Sequence, residues 1–123
     1  MNEFTTTPLQ DRHCTPCEGG VPALSRQQAE RLLQDVEGWE LTEDGGRIRR
    51  RWKVKDFAAG IEFLGRVADL ADAEDHHPDV HLTGYRNVTI ELTTHAIDGL
   101  SENDFILAAK VNELEVPQQA KSG

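Results

Sequence analysis

The sequence predicts a two-layer α+β domain in which three helices cover one face of a four-stranded antiparallel sheet. Two observations lead to this prediction. Three segments repeat apolar residues at helical spacing, and two pairs of strand-like segments flank short turns that contain glycine. Hairpins imply antiparallel pairing, and three amphipathic helices need a sheet face to cover. The predicted order is helix, hairpin, helix, hairpin, helix.

Capping and turn residues define where each predicted element begins and ends. Ser25 with Gln28 predicts a capping box for the first helix, Asp56 is a good N-cap for the second, and Ser101 caps the third. The predicted helices are residues 25–38, 57–75 and 102 onward, and the predicted strands are residues 39–42, 47–53, 80–83 and 88–94.

The second helix is the longest predicted element. Phe57, Ile61, Leu64, Ala68 and Ala71 step by four and three residues, which gives one continuous apolar stripe. Three more apolar residues widen that stripe: Phe63, Val67 and Leu70. We therefore expect this helix to pack on the sheet and also on a second surface.

The predicted domain spans residues 24–116, between an irregular N-terminal arm at 1–23 and a polar tail at 117–123. The arm contains Cys14 and Cys17, a C-x-x-C pair with His13 beside it. We interpret the pair as reduced thiols in a mobile arm, with metal binding as the alternative. Because the arm shows no amphipathic pattern, we expect it to be dispensable for folding and activity.

Charge and hydropathy exclude two classes of partner. With 13 basic and 22 acidic residues, the chain has a formal net charge of −9, which disfavours electrostatic binding to nucleic acid. No apolar run approaches the roughly 20 residues needed to span a bilayer, and the first residues lack the pattern of a secretory signal. We expect a cytoplasmic protein.

Four of the five histidines fall within one stretch of 20 residues: His76, His77, His81 and His95. Histidine is the usual side chain for proton transfer near neutral pH, so one interpretation is a metal-free proton-transfer site. The i,i+4 spacing of His77 and His81 leaves a metal site open, although Pro78 disfavours the helix that such a site needs. Surface histidines without a role are the third alternative.

A longer pattern around these histidines is more specific. The segment Asp72-Ala73-Glu74-Asp75-His76-His77-Pro78-Asp79 is followed by Tyr85, by His95 and by Gly99-Leu100-Ser101-Glu102-Asn103-Asp104. This order of an acidic residue, His-His-Pro, an aromatic, a later histidine and a closing aspartate resembles the signature of the pterin-4a-carbinolamine dehydratases. The likeness covers about residues 24–115.

The resemblance implies a fold, an activity and partners. The fold is the predicted four-stranded sheet with three helices on one face. The activity is elimination of water from a 4a-hydroxytetrahydropterin to give quinonoid dihydropterin, without a metal or other cofactor. The substrate is a reduced pterin released by an aromatic amino-acid hydroxylase, so the hydroxylase is the expected metabolic partner. Assembly as a homodimer or homotetramer, commonly by joining sheets edge to edge, is also implied.

The resemblance also implies roles for individual residues. His76, His77 and His95 match the three active-site histidines; we assign the proton transfers to His77 and His95 and orientation of the substrate to His76. The expected substrate-binding or orienting residues are Asp72, Pro78, Tyr85 and Asp104. Asp104 is expected to orient His95, to cap the last helix, or to do both.

Two other functions remain open at this point. Some animal members of the family bind a homeodomain transcription factor and stabilise its dimer, so an interaction protein is one alternative. A metal-binding module built on the histidines, with or without the two cysteines, is the other. A Val at position 80, where some members carry Trp, leaves the preferred pterin side chain undecided.

Overall fold

The computed structural model describes residues 7–15, 22–114 and 116. Its helices are α1 (Arg26–Leu33), α2 (Phe57–Glu74) and α3 (Glu102–Asn112), and its strands are β1 (Glu40–Leu41), β2 (Ile48–Lys53), β3 (Asp79–Thr83) and β4 (Asn87–Leu92). The order of elements is the predicted one. Cys17 and the predicted tail at 117–123 lie outside the described residues.

The four strands form one antiparallel sheet in the order β1-β2-β4-β3. Its central pair, β2 and β4, aligns Ile48 with Leu92 and Trp52 with Val88. On the other side of β4, Val80 of β3 pairs with Ile90. Because side chains alternate along a strand, this register places the apolar residues of β2 and β4 on one face. The two-layer α+β class is therefore confirmed.

The core lies between that face and the helices. Its buried strand residues are Ile48, Trp52, Val88, Ile90 and Leu92. Trp52 packs edge to face against Trp39 and Phe63, with ring centroids 5.9 and 5.1 Å apart. Such aromatic pairs stabilise a core beyond the area that they bury. Aromatic packing thus joins the sheet to α2.

The first helix is shorter than predicted. It begins at the expected capping box, in which the Ser25 Oγ accepts the Gln28 amide at 3.1 Å, but it ends at Leu33 instead of continuing to Gly38. Beyond that point the amides of residues 34–36 donate to carbonyls three residues back, which tightens the chain into turns. Val36 stays buried without being helical.

The predicted apolar stripe of α2 divides between the core and the surface. The buried positions are Ala59, Gly60, Phe63, Val67 and Ala71, whereas Phe57 and Ile61 remain 54% and 52% exposed. The helix lies closest to β3 at Gly60, where a Cβ would come within 3.0 Å of Leu82. The larger stripe through Phe57 and Ile61 is the second surface of the helix.

The described part of the N-terminal arm packs against α3, a contact that its composition did not predict. Residues 7–15, hereafter the docked arm, lie along α3, and Leu9 within a 3-10 turn is only 5% exposed. Lys110 of α3 donates to the Gln10 carbonyl at 2.9 Å. The arm explains why α3 is buried nearly all round from Asn103 to Ala109, since the sheet covers one side and the arm the other.

Candidate active site

The histidines of three separate segments line one cavity of about 610 Å³. Its lining comprises His13, Cys14, Thr15, Ala73, Glu74, Asp75, His76, His77, Thr93, Thr94, His95, Ala96 and Asn103. The volume lies within the range of about 300–1,000 Å³ that is typical of small-molecule sites. The cavity is bounded by the end of α2, the end of β4, the start of α3 and the docked arm.

The end of α2 directs two adjacent histidines to different partners. Asp75 adopts the left-handed conformation, with φ 52° and ψ 44°, and its amide caps the helix carbonyls of Ala71 and Asp72. A left-handed residue turns the chain sharply at a helix end. His76 and His77 therefore leave the helix axis together but point their rings to separate sides of the cavity wall.

His76 is fixed by a buried carboxylate. Its Nε2 lies 2.6 Å from Asp104 Oδ1, and the His76 side chain is 11% exposed. The other Asp104 oxygen accepts the Ser101 amide at 2.9 Å and the Thr94 hydroxyl at 2.8 Å. Asp104 thus caps α3 and orients His76, not His95, because residue 104 lies on the first turn of α3, directly facing the ring of His76.

His77 pairs with Asp72 at the surface. Its Nε2 lies 2.9 Å from Asp72 Oδ1, and both side chains are more than half exposed. Asp72 therefore contacts His77 and not His76, one helical turn away, because the turn at Asp75 swings His77 back along α2. Asp72 itself is not part of the cavity lining. An exposed pair of this kind contributes little to the stability of the fold. Its effect is to orient the His77 ring.

His95 enters the cavity from the end of β4. It begins a short 3-10 turn, His95–Ile97, that follows the paired residues Thr94 and Gly99. The His95 ring is exposed and, among the described residues, has no hydrogen-bond partner. A ring without a protein partner is free to exchange a proton with a bound molecule.

Four of the expected site residues do not line the cavity: Asp72 and Asp104, which contact its histidines, and Tyr85 and Pro78. Tyr85 is on the turn between β3 and β4, with φ 57°, its side chain 58% exposed and the Arg86 guanidinium 5.5 Å from its ring. That turn is at the end of the hairpin remote from His77 and His95. Pro78 also does not line the cavity; it holds His77 in an extended conformation before β3 begins.

Glu74 and the docked arm were missed as parts of the site. Glu74 Oε1 accepts the Cys14 amide at 2.7 Å, and Oε2 lies 3.0 Å from His13 Nδ1 and 3.7 Å from Lys110 Nζ. Burial opposes its ionisation, but the Cys14 amide, the His13 ring and Lys110 outweigh burial and lower the Glu74 pKa. The position of His13 beside a C-x-x-C pair was the only signal in the sequence.

Cys14 is a half-buried thiol in the same wall. Burial, reinforced by the charge of Glu74, raises its pKa to about 12. Its Sγ contacts the Asn103 carbonyl at 3.6 Å. A thiol with so high a pKa is protonated near neutral pH and is a poor nucleophile.

The proposed metal ligands are not brought together. Within residues 7–15, 22–114 and 116, no group of three or more His, Cys, Asp or Glu side chains is arranged to hold a metal ion. His77 precedes β3, whereas His81 lies on that strand and does not line the cavity. His77 and His81 therefore do not form a pair of metal ligands on one face of a helix.

Comparison with known proteins agrees with the sequence signature. The family model described as pterin 4 alpha carbinolamine dehydratase matches residues 22–114. A mitochondrial pterin-4-alpha-carbinolamine dehydratase 2 of Arabidopsis thaliana is 52% identical over 111 residues, which are 88% of this chain and 59% of that protein. The chain therefore spans less than two thirds of that relative. A homologue from Halorhodospira halophila is 50% identical over 86% of this chain and 96% of its own length.

Solved structures give the same assignment. A transcriptional coactivator/pterin dehydratase of Brucella melitensis superposes with a TM-score of 0.68 at 31% identity, covering 73% of this chain and 95% of that one. A pterin dehydratase-like RuBisCO assembly factor, at 23% identity and a TM-score of 0.52, shares the fold. The two relatives are named as dehydratases, which are hydro-lyases. With a family match over residues 22–114 and relatives at 50% identity or more, the chain belongs to the pterin-4a-carbinolamine dehydratase family.

Proposed function

We propose that this chain dehydrates a 4a-hydroxytetrahydropterin by histidine acid–base catalysis that requires no cofactor, and so supports tetrahydropterin recycling. The observation that supports it most strongly is the convergence of His76, His77 and His95 on one cavity of suitable volume. The three side chains come from two different parts of the fold, yet they border the same space. Proton transfer is the chemistry that such a set is best suited to perform.

The reaction needs two proton transfers. Breaking the C4a–O bond requires a proton on the departing hydroxyl, which leaves as water, and loss of the N5 proton completes the quinonoid ring. The lone pair of N5 supplies the electrons for the elimination. A positioned acid or base contributes typically about 10²–10⁴-fold to such a step.

We assign the two transfers to His77 and His95, and orientation of the pterin to His76. His76 suits orientation because Asp104 holds its ring in one position within a nearly buried setting. His77 and His95 are more exposed, so both can exchange protons with solvent between turnovers. Asp72 offers the His77 ring a carboxylate partner at 2.9 Å when that ring carries a proton.

The direct test is the rate of dehydration of a 4a-hydroxytetrahydropterin with and without the protein. The substrate is generated by an aromatic amino-acid hydroxylase, and the uncatalysed rate at each pH is subtracted. We expect acceleration that survives dialysis against a chelator. A rate equal to the uncatalysed background would reject the proposed function.

We also propose that the chain self-associates, as the family resemblance implies. The supporting features are the exposed edge strand β3, with Val80 44% exposed, and the apolar second surface of α2. An edge strand of this kind offers unpaired backbone groups to another chain.

Among the described residues no helix is long and apolar enough to cross a bilayer, and a cytoplasmic location stays a prediction.

A further inference from the structure

The docked arm closes one side of the cavity that holds the three histidines. Asn103, a buried residue of α3, holds the arm by two hydrogen bonds: its Oδ1 accepts the Thr15 amide at 3.0 Å and its Nδ2 donates to the Thr15 carbonyl at 2.6 Å. Arg12 adds an ion pair with Glu102. A side-chain amide that satisfies both groups of one backbone residue fixes that residue's position. The arm therefore forms one fixed side of the cavity.

Within that wall, His13 is anchored at one ring nitrogen only. Its Nδ1 lies 3.0 Å from Glu74 Oε2, while its side chain is 81% exposed at the rim of the cavity. Glu74 is 8% exposed and also accepts the Cys14 amide, so the carboxylate that holds the ring is itself held in place. In the tautomer that donates Nδ1–H to Glu74, Nε2 is an acceptor, and it belongs to a side chain that lines the cavity and is largely exposed.

We propose that His13 is a specificity-determining residue that accepts a hydrogen bond from the hydroxylated substituent at C6 of the pterin. The inference rests on the proposed function. C6 is bonded to N5, one of the two reacting positions, so a pterin with N5 and C4a beside the three histidines carries its C6 substituent close to the same wall. We place the bicyclic ring beside the three histidines and the substituent toward His13, whose side chain belongs to the same lining and is 81% exposed.

The proposal predicts different effects of a His13 substitution on the KM values of two substrates. A 4a-hydroxytetrahydropterin with a dihydroxypropyl group at C6 offers hydroxyl donors to His13 Nε2, whereas one with a methyl group offers none. Removing the imidazole should therefore raise KM for the first substrate and leave KM for the second unchanged. The value of kcat should not change for either substrate, because His13 takes no part in the proton transfers.

The experiment measures kcat and KM for both substrates with wild type, His13→Ala, His13→Gln and the control His81→Ala. His81 is an exposed histidine of β3 that does not line the cavity. For His13→Ala we expect KM for the dihydroxypropyl substrate to rise about five-fold, the change expected for one hydrogen bond. Gln, whose amide reaches the position of Nε2, should restore part of the loss. His81→Ala should match wild type.

Two outcomes would overturn the inference: an unchanged KM for the dihydroxypropyl substrate, or an equal rise in KM for both substrates. The second outcome would mean that His13 only keeps the arm in place. Binding of biopterin, followed by quenching of its fluorescence, separates this inference from the proposed function. A protein that binds biopterin more tightly than its His13→Ala variant, but does not dehydrate the substrate, would reject the function and leave the contact standing.

Discussion

Asp104 shows how one buried side chain serves two purposes. Its Oδ2 accepts the Ser101 amide at the start of α3, and its Oδ1 contacts the His76 ring. The spacing of Ser101 and Asp104 predicted the cap, and the family pattern predicted an orienting role. What could not be predicted was the histidine that it orients, because that depends on how α3 packs against the end of α2.

Asp104→Asn keeps the shape of this side chain but removes its charge. We expect a large fall in kcat and a smaller change in KM, because the His76 ring loses its fixed orientation while the cavity remains. A hydrogen bond to a charged group is worth about 1.5–3 kcal/mol, so urea unfolding should also show a loss. Wild-type kcat in this variant would contradict the assigned role.

Glu74 makes the attachment of the arm sensitive to acid. Its pKa is below the ordinary value of 4.5 in the folded protein, because the Cys14 amide, His13 and Lys110 outweigh burial. A carboxyl with a lowered native pKa stabilises the fold above its unfolded pKa and loses that contribution as the pH falls through the native pKa. The difference in free energy of unfolding between wild type and Glu74→Gln should therefore be greatest above pH 4.5 and shrink in acid. A difference independent of pH would contradict this.

Cys14 reports whether the arm is in place. With a pKa of about 12, its thiol should react with iodoacetamide far more slowly than free cysteine near neutral pH. The rate is measured in a Cys17→Ser background, so that a single thiol is followed. Asn103→Ala, which removes the two bonds to Thr15, should speed the reaction. Equal rates for Cys14 and free cysteine would contradict the docked position.

At the scale of elements, capping and periodicity predicted the helices and strands but not the faces that they use. The alternation of β4 and the caps at Ser25 and Asp56 depend on local hydrogen bonds and burial, so they could be read from sequence. The apolar stripe of α2 was predicted, but its division between core and surface was not, because that depends on where the helix approaches the sheet, as it does at Gly60. The docking of the arm was also missed, because a single leucine does not form a repeating apolar pattern.

Deleting residues 1–15 tests the arm as an element. The deletion exposes the outer side of α3 and removes the contact of Leu9, whose full burial is worth about 1.5–3 kcal/mol. We expect a lower urea midpoint and a higher KM for the pterin, with the circular dichroism of the domain retained. The milder variant Leu9→Ala should lower the midpoint without altering the cavity wall. A truncated protein with wild-type stability and KM would show that the arm is dispensable.

At the scale of the whole molecule, the exposed apolar residues indicate assembly. Phe57 and Ile61 lie one turn apart on α2 and are both about half exposed. Light scattering should give a mass that is a multiple of the 13.7 kDa chain. The variant Phe57→Glu with Ile61→Glu should lower that mass, whereas Gln27→Glu, at an exposed position of α1, should not. A monomeric wild type would contradict self-association.

The central claim is that histidines on one cavity carry out the dehydration. The most direct measurement is the background-subtracted dehydration rate of the His77→Ala/His95→Ala double variant beside that of His81→Ala. All three residues are exposed, so neither variant removes a core contact. The account predicts a rate near background for the double variant, since each transfer is worth about 10²–10⁴-fold, and the wild-type rate for His81→Ala. A double variant that kept the wild-type rate would contradict histidine acid–base catalysis.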